Sequence, residues 1–241
     1  GTHVAEIAAA SGGIFGIGKG ANIISMIVIP NGTTTSDVIL IKRAINWCAN
    51  HAEEYNISVI TISIGSVNTY SYECDSLYTV MTNAINNAVA NNIPVTIGTG
   101  NAGSSTGISF PSCVANALSV GATNKDDYLA PYSNYNQFVK VFAPGTYIHS
   151  TCLNGGYCYN TGTSMATPMV AGAIAILQQY VGLTGNLLTP SEMENLLFQT
   201  GDPILNLPDS WKRINIYNAV MTDLIDLDGD FLINGSDLAI L

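Results

Sequence analysis

Ile93-Pro-Val-Thr-Ile-Gly-Thr99 and, before it, Ser58-Val-Ile-Thr-Ile-Ser-Ile64 are two short, apolar and β-branched stretches of this sequence. In the segment between them, residues 77–91, apolar residues recur at helical spacing. Strands that alternate with helices form parallel βαβ units, and parallel strands covered on both faces are hydrophobic throughout. This unit therefore predicts an α/β fold with a doubly wound, mostly parallel sheet flanked by helices.

The rest of the sequence continues this alternation. Helical spacing is present in residues 2–10, 37–55 and 164–180, and strand-like runs are present in residues 117–120 and 140–142. Residues 21–29 are largely apolar and are followed by Pro30, which predicts another buried strand. No internal repeat or low-complexity tract interrupts the pattern.

Polar clusters follow the two quoted stretches: Ser63-Ile64-Gly65-Ser66 and Gly98-Thr99-Gly100-Asn101. In doubly wound sheets the binding site lies beyond the carboxyl ends of the strands. We therefore expect both clusters to contribute to a functional site.

The composition excludes several classes of protein. The chain has 241 residues, of which 47% are hydrophobic and 10% charged, so it is a folded rather than a disordered sequence. Its net charge of -10, with only 7 Lys and Arg residues, disfavours nucleic acid as a partner. The longest apolar run, residues 170–177, is shorter than the ~18 residues of a membrane span, so we expect no span in this chain.

The five cysteines show no zinc-binding spacing. Cys152 and Cys158 flank Gly155-Gly156, so a disulfide across a hairpin is one interpretation, and five small buried side chains are the other. The odd number of cysteines leaves at least one thiol unpaired.

A candidate nucleophile lies in Gly162-Thr-Ser-Met-Ala-Thr-Pro168, which leads into an apolar helix. The unpaired N–H groups at a helix N-terminus can stabilise negative charge that develops near Ser164. The simpler interpretation is that Ser164 caps the helix. The segment is not a nucleophile elbow, because Ala166 stands where that turn needs a glycine.

The surroundings favour the first interpretation. Residues 162–172 resemble the nucleophile signature of the subtilases, and Gly1-Thr-His-Val-Ala resembles part of the histidine signature His-Gly-Thr-His-Val-Ala-Gly of that family. Further resemblances lie, in the order of the family, at residues 58–65, 98–101, 110–113, 118–123 and 142–145. The resemblance covers roughly residues 1–220 and implies a subtilisin-like, three-layer serine endopeptidase domain.

The resemblance implies specific roles. Ser164 would attack the scissile carbonyl, and the side-chain amide of Asn101 would bind the oxyanion. Protein or peptide substrates would lie against the two polar clusters, whose matching residues are Ser63, Ile64, Gly65, Gly98, Thr99 and Gly100.

The same resemblance implies that His3 is not the catalytic base. In the family signature the base is the first histidine, and here that position would immediately precede Gly1. His3 aligns with the second, structural histidine. The family aspartate lies on an earlier strand, so we expect the chain to be N-terminally truncated and inactive alone. Glu6 replaces a glycine of the signature helix, and residues 10–13 are shorter than the calcium loop of the family, so no calcium is expected there.

The C-terminal segment is more acidic than the rest of the chain, and we place a domain boundary between residues 1–224 and 225–241. The segment has the ligand spacing of an EF-hand loop, which suits Ca²⁺. The ligands would be Asp226, Asp228, Asp230, the Leu232 carbonyl, Asn234 and Asp237. The segment resembles one half of a dockerin-type repeat, which suggests a cohesin-type partner, although Phe231 replaces the usual glycine. The alternative is a solvated acidic linker.

Two functions fit the sequence. The first is an extracellular endopeptidase, and the second is a catalytically dead subtilase-fold scaffold displayed through the calcium-binding segment. The serine and asparagine motifs favour the first function, since a dead enzyme need keep neither.

Overall fold

The structure is a computed structural model that describes residues 1–30, 33–153, 155–184 and 187–225. In these residues the strands are β1 (Ile60–Ile62), β2 (Thr69–Tyr70), β3 (Val95–Gly98), β4 (Ile108–Ser109), β5 (Leu118–Thr123), β6 (Val141–Pro144), β7 (Ile148–Thr151), β8 (Tyr157–Asn160), β9 (Asp202–Pro203) and β10 (Lys212–Arg213).

The helices of the described residues are α1 (Thr2–Ala9), α2 (Val38–Asn50), α3 (Ala52–Tyr55), α4 (Thr79–Ala90), α5 (Thr163–Thr184), α6 (Pro190–Gln199) and α7 (Ile216–Ile225). Asp37 caps α2, because its side chain accepts a hydrogen bond from the Ile39 N–H. Thr189 and Glu192 form a capping box at the start of α6.

Six strands form the central sheet in the order β1-β3-β5-β6-β10-β9. All neighbouring strands in it are parallel except β10 and β9. Two antiparallel pairs, β2 with β4 and β7 with β8, lie outside this sheet. The sheet places the carboxyl ends of β1 and β3 side by side, with Ile62 opposite Ile97.

Each face of the sheet has its own hydrophobic core. Val95 and Ile97 of β3 pack with residues of α2 and α4. Val120 and Ala122 of β5 pack on the other side with residues of α5, α6 and α7. The result is three layers, and it confirms the predicted α/β class with a mostly parallel sheet between helices.

The prediction for residues 21–29 was wrong, because they form no strand. Ile23 and Ile27 are 51% and 80% exposed, and the ladder of the central sheet ends at β1. A largely apolar run indicates a tendency to be buried, but a strand also needs a neighbour to which its backbone can bond.

Helix α5 is the one helix in the described residues whose length and composition would allow it to cross a membrane. Of its most apolar window, 61% is buried inside the protein, against the sheet and α1. Its apolar character is therefore that of a central core helix.

The cysteines form two disulfides, Cys74–Cys113 and Cys152–Cys158. The second lies next to the turn of the β7–β8 hairpin and links its two strands, as one interpretation of the sequence proposed. Cys48 is the unpaired thiol, and burial raises its pKa.

Candidate active site

A cavity of about 120 Å³ lies where the carboxyl ends of β1 and β3 meet the N-terminus of α5. Three chain segments line it: the residues after β1, the residues at the end of β3 and after it, and the first turn of α5. They contribute backbone groups and mostly small side chains. The lining residues are Ser63, Ile64, Gly65, Ser66, Gly98, Gly100, Asn101, Thr163 and Ser164.

Helix α5 approaches β3 closely at Gly98. A Cβ atom at this position would lie 3.1 Å from the Thr163 Oγ1 and 3.0 Å from the Thr167 Oγ1. These distances are shorter than ordinary van der Waals contacts, so the helix start can rest on the strand because residue 98 has no side chain.

Ser164 is a half-buried residue in the first turn of α5. Pro168 has no N–H to donate to the Ser164 carbonyl four residues earlier. The Ser63 hydroxyl donates to that carbonyl instead, at 3.0 Å, and so fixes Ser164 against the end of β1. Within the described residues the Ser164 Oγ has no hydrogen-bond partner, so it is free to react with a ligand in the cavity.

The side-chain amide of Asn101 has a defined orientation. Its Oδ1 accepts hydrogen bonds from the Thr163 N–H at 2.8 Å and from the Thr163 hydroxyl at 3.1 Å. Because a backbone N–H is always a donor, the atom facing it must be the amide oxygen. The Nδ2 therefore has no partner in the described residues and can donate to a ligand.

Thr163 also receives a hydrogen bond, from the Gly100 N–H at 3.2 Å. One threonine thus links the loop after β3 to the first turn of α5. Sequence reasoning gave no catalytic or substrate-binding role to Thr163 or Ser66, although Ser66 ends one of the two polar clusters and Thr163 precedes the candidate nucleophile.

Thr99 differs from the other residues named for the substrate site, because it does not line the cavity. It is fully buried, and its hydroxyl donates to the Asn134 carbonyl at 2.8 Å. Successive residues of an extended chain point to opposite sides, so Gly98 and Gly100 line the cavity while Thr99 points into the protein.

The three histidines lie outside the cavity. His3 is buried on α1, and neither of its ring nitrogens has a partner in the described part of the chain. His51 stacks on Trp47 at the end of α2, and the ring of His149 lies 4.7 Å from that of Tyr159. Within the described residues, no histidine and no charged side chain lines the cavity.

Glu6 links α1 to the β7–β8 hairpin. Its carboxylate accepts hydrogen bonds from the Thr151 N–H and, at 3.0 Å, from the Ser150 hydroxyl. The Ser150 hydroxyl also lies 2.8 Å from the His3 carbonyl. The glutamate that replaces a signature glycine therefore has partners of its own in this structure.

The residues named for calcium, from Asp226 to Asp237, lie outside the described residues, and so does segment 226–241 as a whole. In the described part, no group of three or more His, Cys, Asp or Glu side chains could hold a metal ion.

The cavity thus combines a free hydroxyl at a helix N-terminus with a free amide donor, and both are fixed by hydrogen bonds to neighbouring chain segments. Such a pair can attack a carbonyl group and bind the oxyanion that results. A group that accepts the proton of Ser164 is not among the cavity residues described.

Known proteins are similar to this chain over most of its length. A model of the subtilase family matches residues 1–220. A thermophilic serine proteinase of Bacillus sp. (strain AK1) is 38% identical over 91% of this chain and 51% of its own length. Alkaline protease 1 of Aspergillus clavatus is 34% identical over 77% of this chain and 44% of its own length. The chain therefore spans about half of the length of these relatives.

A solved structure of a cold adapted subtilisin-like serine proteinase is also similar. It has a TM-score of 0.75 and 27% sequence identity, and the match covers 90% of this chain and 73% of that one.

The close packing around Gly100 leads to a prediction. Gly100 has φ +98, and an added Cβ would meet the Ser109 hydroxyl and would lie 2.5 Å from the Asn134 Nδ2. We expect Gly100→Ala to lower the free energy of unfolding by about 2–5 kcal/mol, since strain and overlap add. Urea unfolding followed by tryptophan fluorescence measures this loss.

Gly20→Ala is the matched control, because Gly20 has φ +92 and open space around its Cβ position. We expect this variant to lose only about 1–2 kcal/mol, the cost of the left-handed backbone alone. Equal losses in the two variants would show that the contacts of Gly100 do not constrain the loop.

Proposed function

The chain belongs to the subtilase family, and on that premise we propose that it supplies the nucleophile and the oxyanion-binding amide of a serine endopeptidase. The substrates are proteins or peptides, whose peptide bonds the enzyme hydrolyses. The observation that carries the proposal is the orientation of Asn101, whose Oδ1 is held by Thr163 while its Nδ2 stays free beside Ser164.

In the proposed reaction the Ser164 Oγ attacks the scissile carbonyl carbon, and negative charge develops on the carbonyl oxygen. The Asn101 Nδ2 and the Ser164 backbone N–H donate to that oxygen. The first-turn N–H groups of α5 add favourable electrostatics, because they have no acceptors within the helix. Thr163 keeps the amide turned so that its NH₂ group faces the oxyanion.

The substrate backbone is proposed to lie between the two chain segments that line the cavity. Residues 63–65 continue β1, which is the edge strand of the sheet in the described residues. The backbone groups of an edge strand can pair with an extended peptide. Gly98 and Gly100 form the opposite wall, and their lack of side chains leaves space for a substrate residue.

The general base is proposed to be a histidine immediately before Gly1 in the full-length protein, held by an aspartate on an earlier strand. His3 does not fit this role, because its ring is buried on α1 and contributes nothing to the cavity lining. We also propose that the enzyme is extracellular, which the two disulfides support.

The nucleophile and the oxyanion donor can be tested by substitution in the full-length protein. Ser164→Ala should abolish peptide hydrolysis and labelling by a fluorophosphonate. Asn101→Ala should lower kcat by about 10²–10³ with little change in KM, because its bond forms mainly to the oxyanion. This magnitude is the one established for subtilisin, a member of the same family.

Ser191→Ala and Asn83→Ala, both at exposed positions, serve as controls and should retain full activity. Undiminished turnover in Asn101→Ala would remove the oxyanion role from that residue. If the unsubstituted protein has no more activity than Ser164→Ala, the catalytically dead scaffold is the correct function.

The proposed position of the base predicts that the 241-residue chain alone hydrolyses no peptide. In subtilisin, loss of the catalytic histidine lowers kcat by about 10⁶. A fluorogenic peptide assay with the purified chain measures this. Hydrolysis that disappears in His3→Ala would instead make His3 the base.

We further propose that residues 225–241 form a calcium-binding repeat of the dockerin type with a cohesin-type partner. Asp226, Asp228, Asp230 and Asp237 lie within twelve residues together with Asn234, and no basic residue follows Asp223 to neutralise them. Such carboxylates repel one another unless a cation lies between them.

Isothermal titration of the chain with calcium should show weak binding, with a Kd of about 10⁻⁴–10⁻³ M, because only one repeat is present. The double variant Asp226→Ala/Asp230→Ala should lose this binding. Equal binding by the double variant, or no binding in a protein that has two such repeats, would identify the segment as an acidic linker.

A further inference from the structure

Asn134 is a fully buried amide next to the loop that carries Asn101. Its Oδ1 accepts hydrogen bonds from the N–H groups of Ala102 and Ser104, both at 3.0 Å, and its Nδ2 donates to the Thr99 carbonyl at 3.0 Å. Since Thr99 precedes Asn101 and Ala102 follows it, one side chain holds the loop on both sides of that residue.

The backbone of Asn134 bonds to the same loop. Its N–H donates to the Gly100 carbonyl at 3.0 Å, and its carbonyl accepts from the Thr99 hydroxyl at 2.8 Å. The Nδ2 also lies 3.3 Å from the Ser109 Oγ. The orientation of the Asn134 amide is unambiguous, because two backbone N–H donors face its oxygen.

We propose that Asn134 is a positioning residue for peptide hydrolysis, an inference that rests on the proposed function. It does not line the cavity and touches no substrate. Asn101 has two anchors: Thr163 ties its side chain to α5, and Asn134 ties its backbone neighbours to the segment after β5. Together they place the Nδ2 where the oxyanion forms.

The proposal follows from the sensitivity of oxyanion binding to distance. Asn101 is exposed, so solvent offers its loop no rigid support. Without the Asn134 amide, the N–H groups of Ala102 and Ser104 lose their partner, and the Thr99 carbonyl keeps only the Ser109 N–H as a donor. The loop must then shift or bind water. A shift of about 1 Å in a group that orients the reaction can lower the rate by about 10².

The test is a double-mutant cycle in the full-length protein, with kcat and KM measured on a chromogenic peptide. Asn134→Ala should lower kcat about 10- to 100-fold and leave KM within about 2-fold. In the Asn101→Ala background the same substitution should lower kcat by less than about 2-fold, because the group it positions is gone.

Asn136→Ala is the matched control. Asn136 is also buried, at 4% exposed, but its side chain contacts the Tyr70 carbonyl and the Phe138 N–H rather than the loop of Asn101. This variant should lose stability in thermal unfolding while its kcat stays within about 2-fold of the unsubstituted value.

If Asn134→Ala does not fold, Asn134→Asp takes its place in the same cycle, because it keeps the size and both acceptor bonds and loses the donations to the Thr99 carbonyl and the Ser109 hydroxyl. An unchanged kcat, or an equal loss with and without Asn101, overturns the proposal. Failure of the proposed function is separate, since it shows as equal activity in the unsubstituted protein and in Ser164→Ala.

Discussion

The contact between the N-terminus of α5 and the carboxyl end of β3 determines the geometry of the whole site. Gly98 allows this contact, because any side chain there would displace Thr163 and Thr167. Once α5 rests on β3, Thr163 reaches both the Gly100 N–H and the Asn101 amide, and Ser164 faces the cavity. The helix start, the loop and the edge strand are thus fixed relative to one another by one close approach.

Hydrogen bonds between neutral groups hold these segments in place. Pro168 leaves the Ser164 carbonyl without its helical donor, and the Ser63 hydroxyl replaces that donor. Asn134 does the same for the N–H groups of Ala102 and Ser104. These three backbone groups are thereby satisfied by side chains from other segments.

The sequence predicted the elements that depend on local composition. The β-branched run around Val95 became a buried strand, and the apolar segment after Ser164 became the central helix. Ser164 and Asn101 could be named because each lies in a recognisable motif. The inward orientation of Thr99 also follows from the alternation of side chains along an extended chain, which the sequence interpretation did not apply.

Other features depend on contacts that are distant in the sequence. Asn134 bonds to residues 30 and more positions earlier, and no pattern around it indicates this. The same holds for Glu6 and Thr151, 145 positions apart. Residues 21–29 are the opposite case. Their apolar composition indicates a tendency to be buried, but it does not specify the element against which they would pack.

The neutral lining of the cavity has a consequence for the effect of ionic strength. Salt screens interactions between charges, but it changes buried hydrogen bonds between neutral groups little. The shape of the site should therefore persist in concentrated salt. For the peptide substrates proposed above, salt alters the approach to the site, because a net charge of -10 attracts basic peptides and repels acidic ones only while it is unscreened. Ionic strength would thus change which peptides reach this site more than how the site holds them.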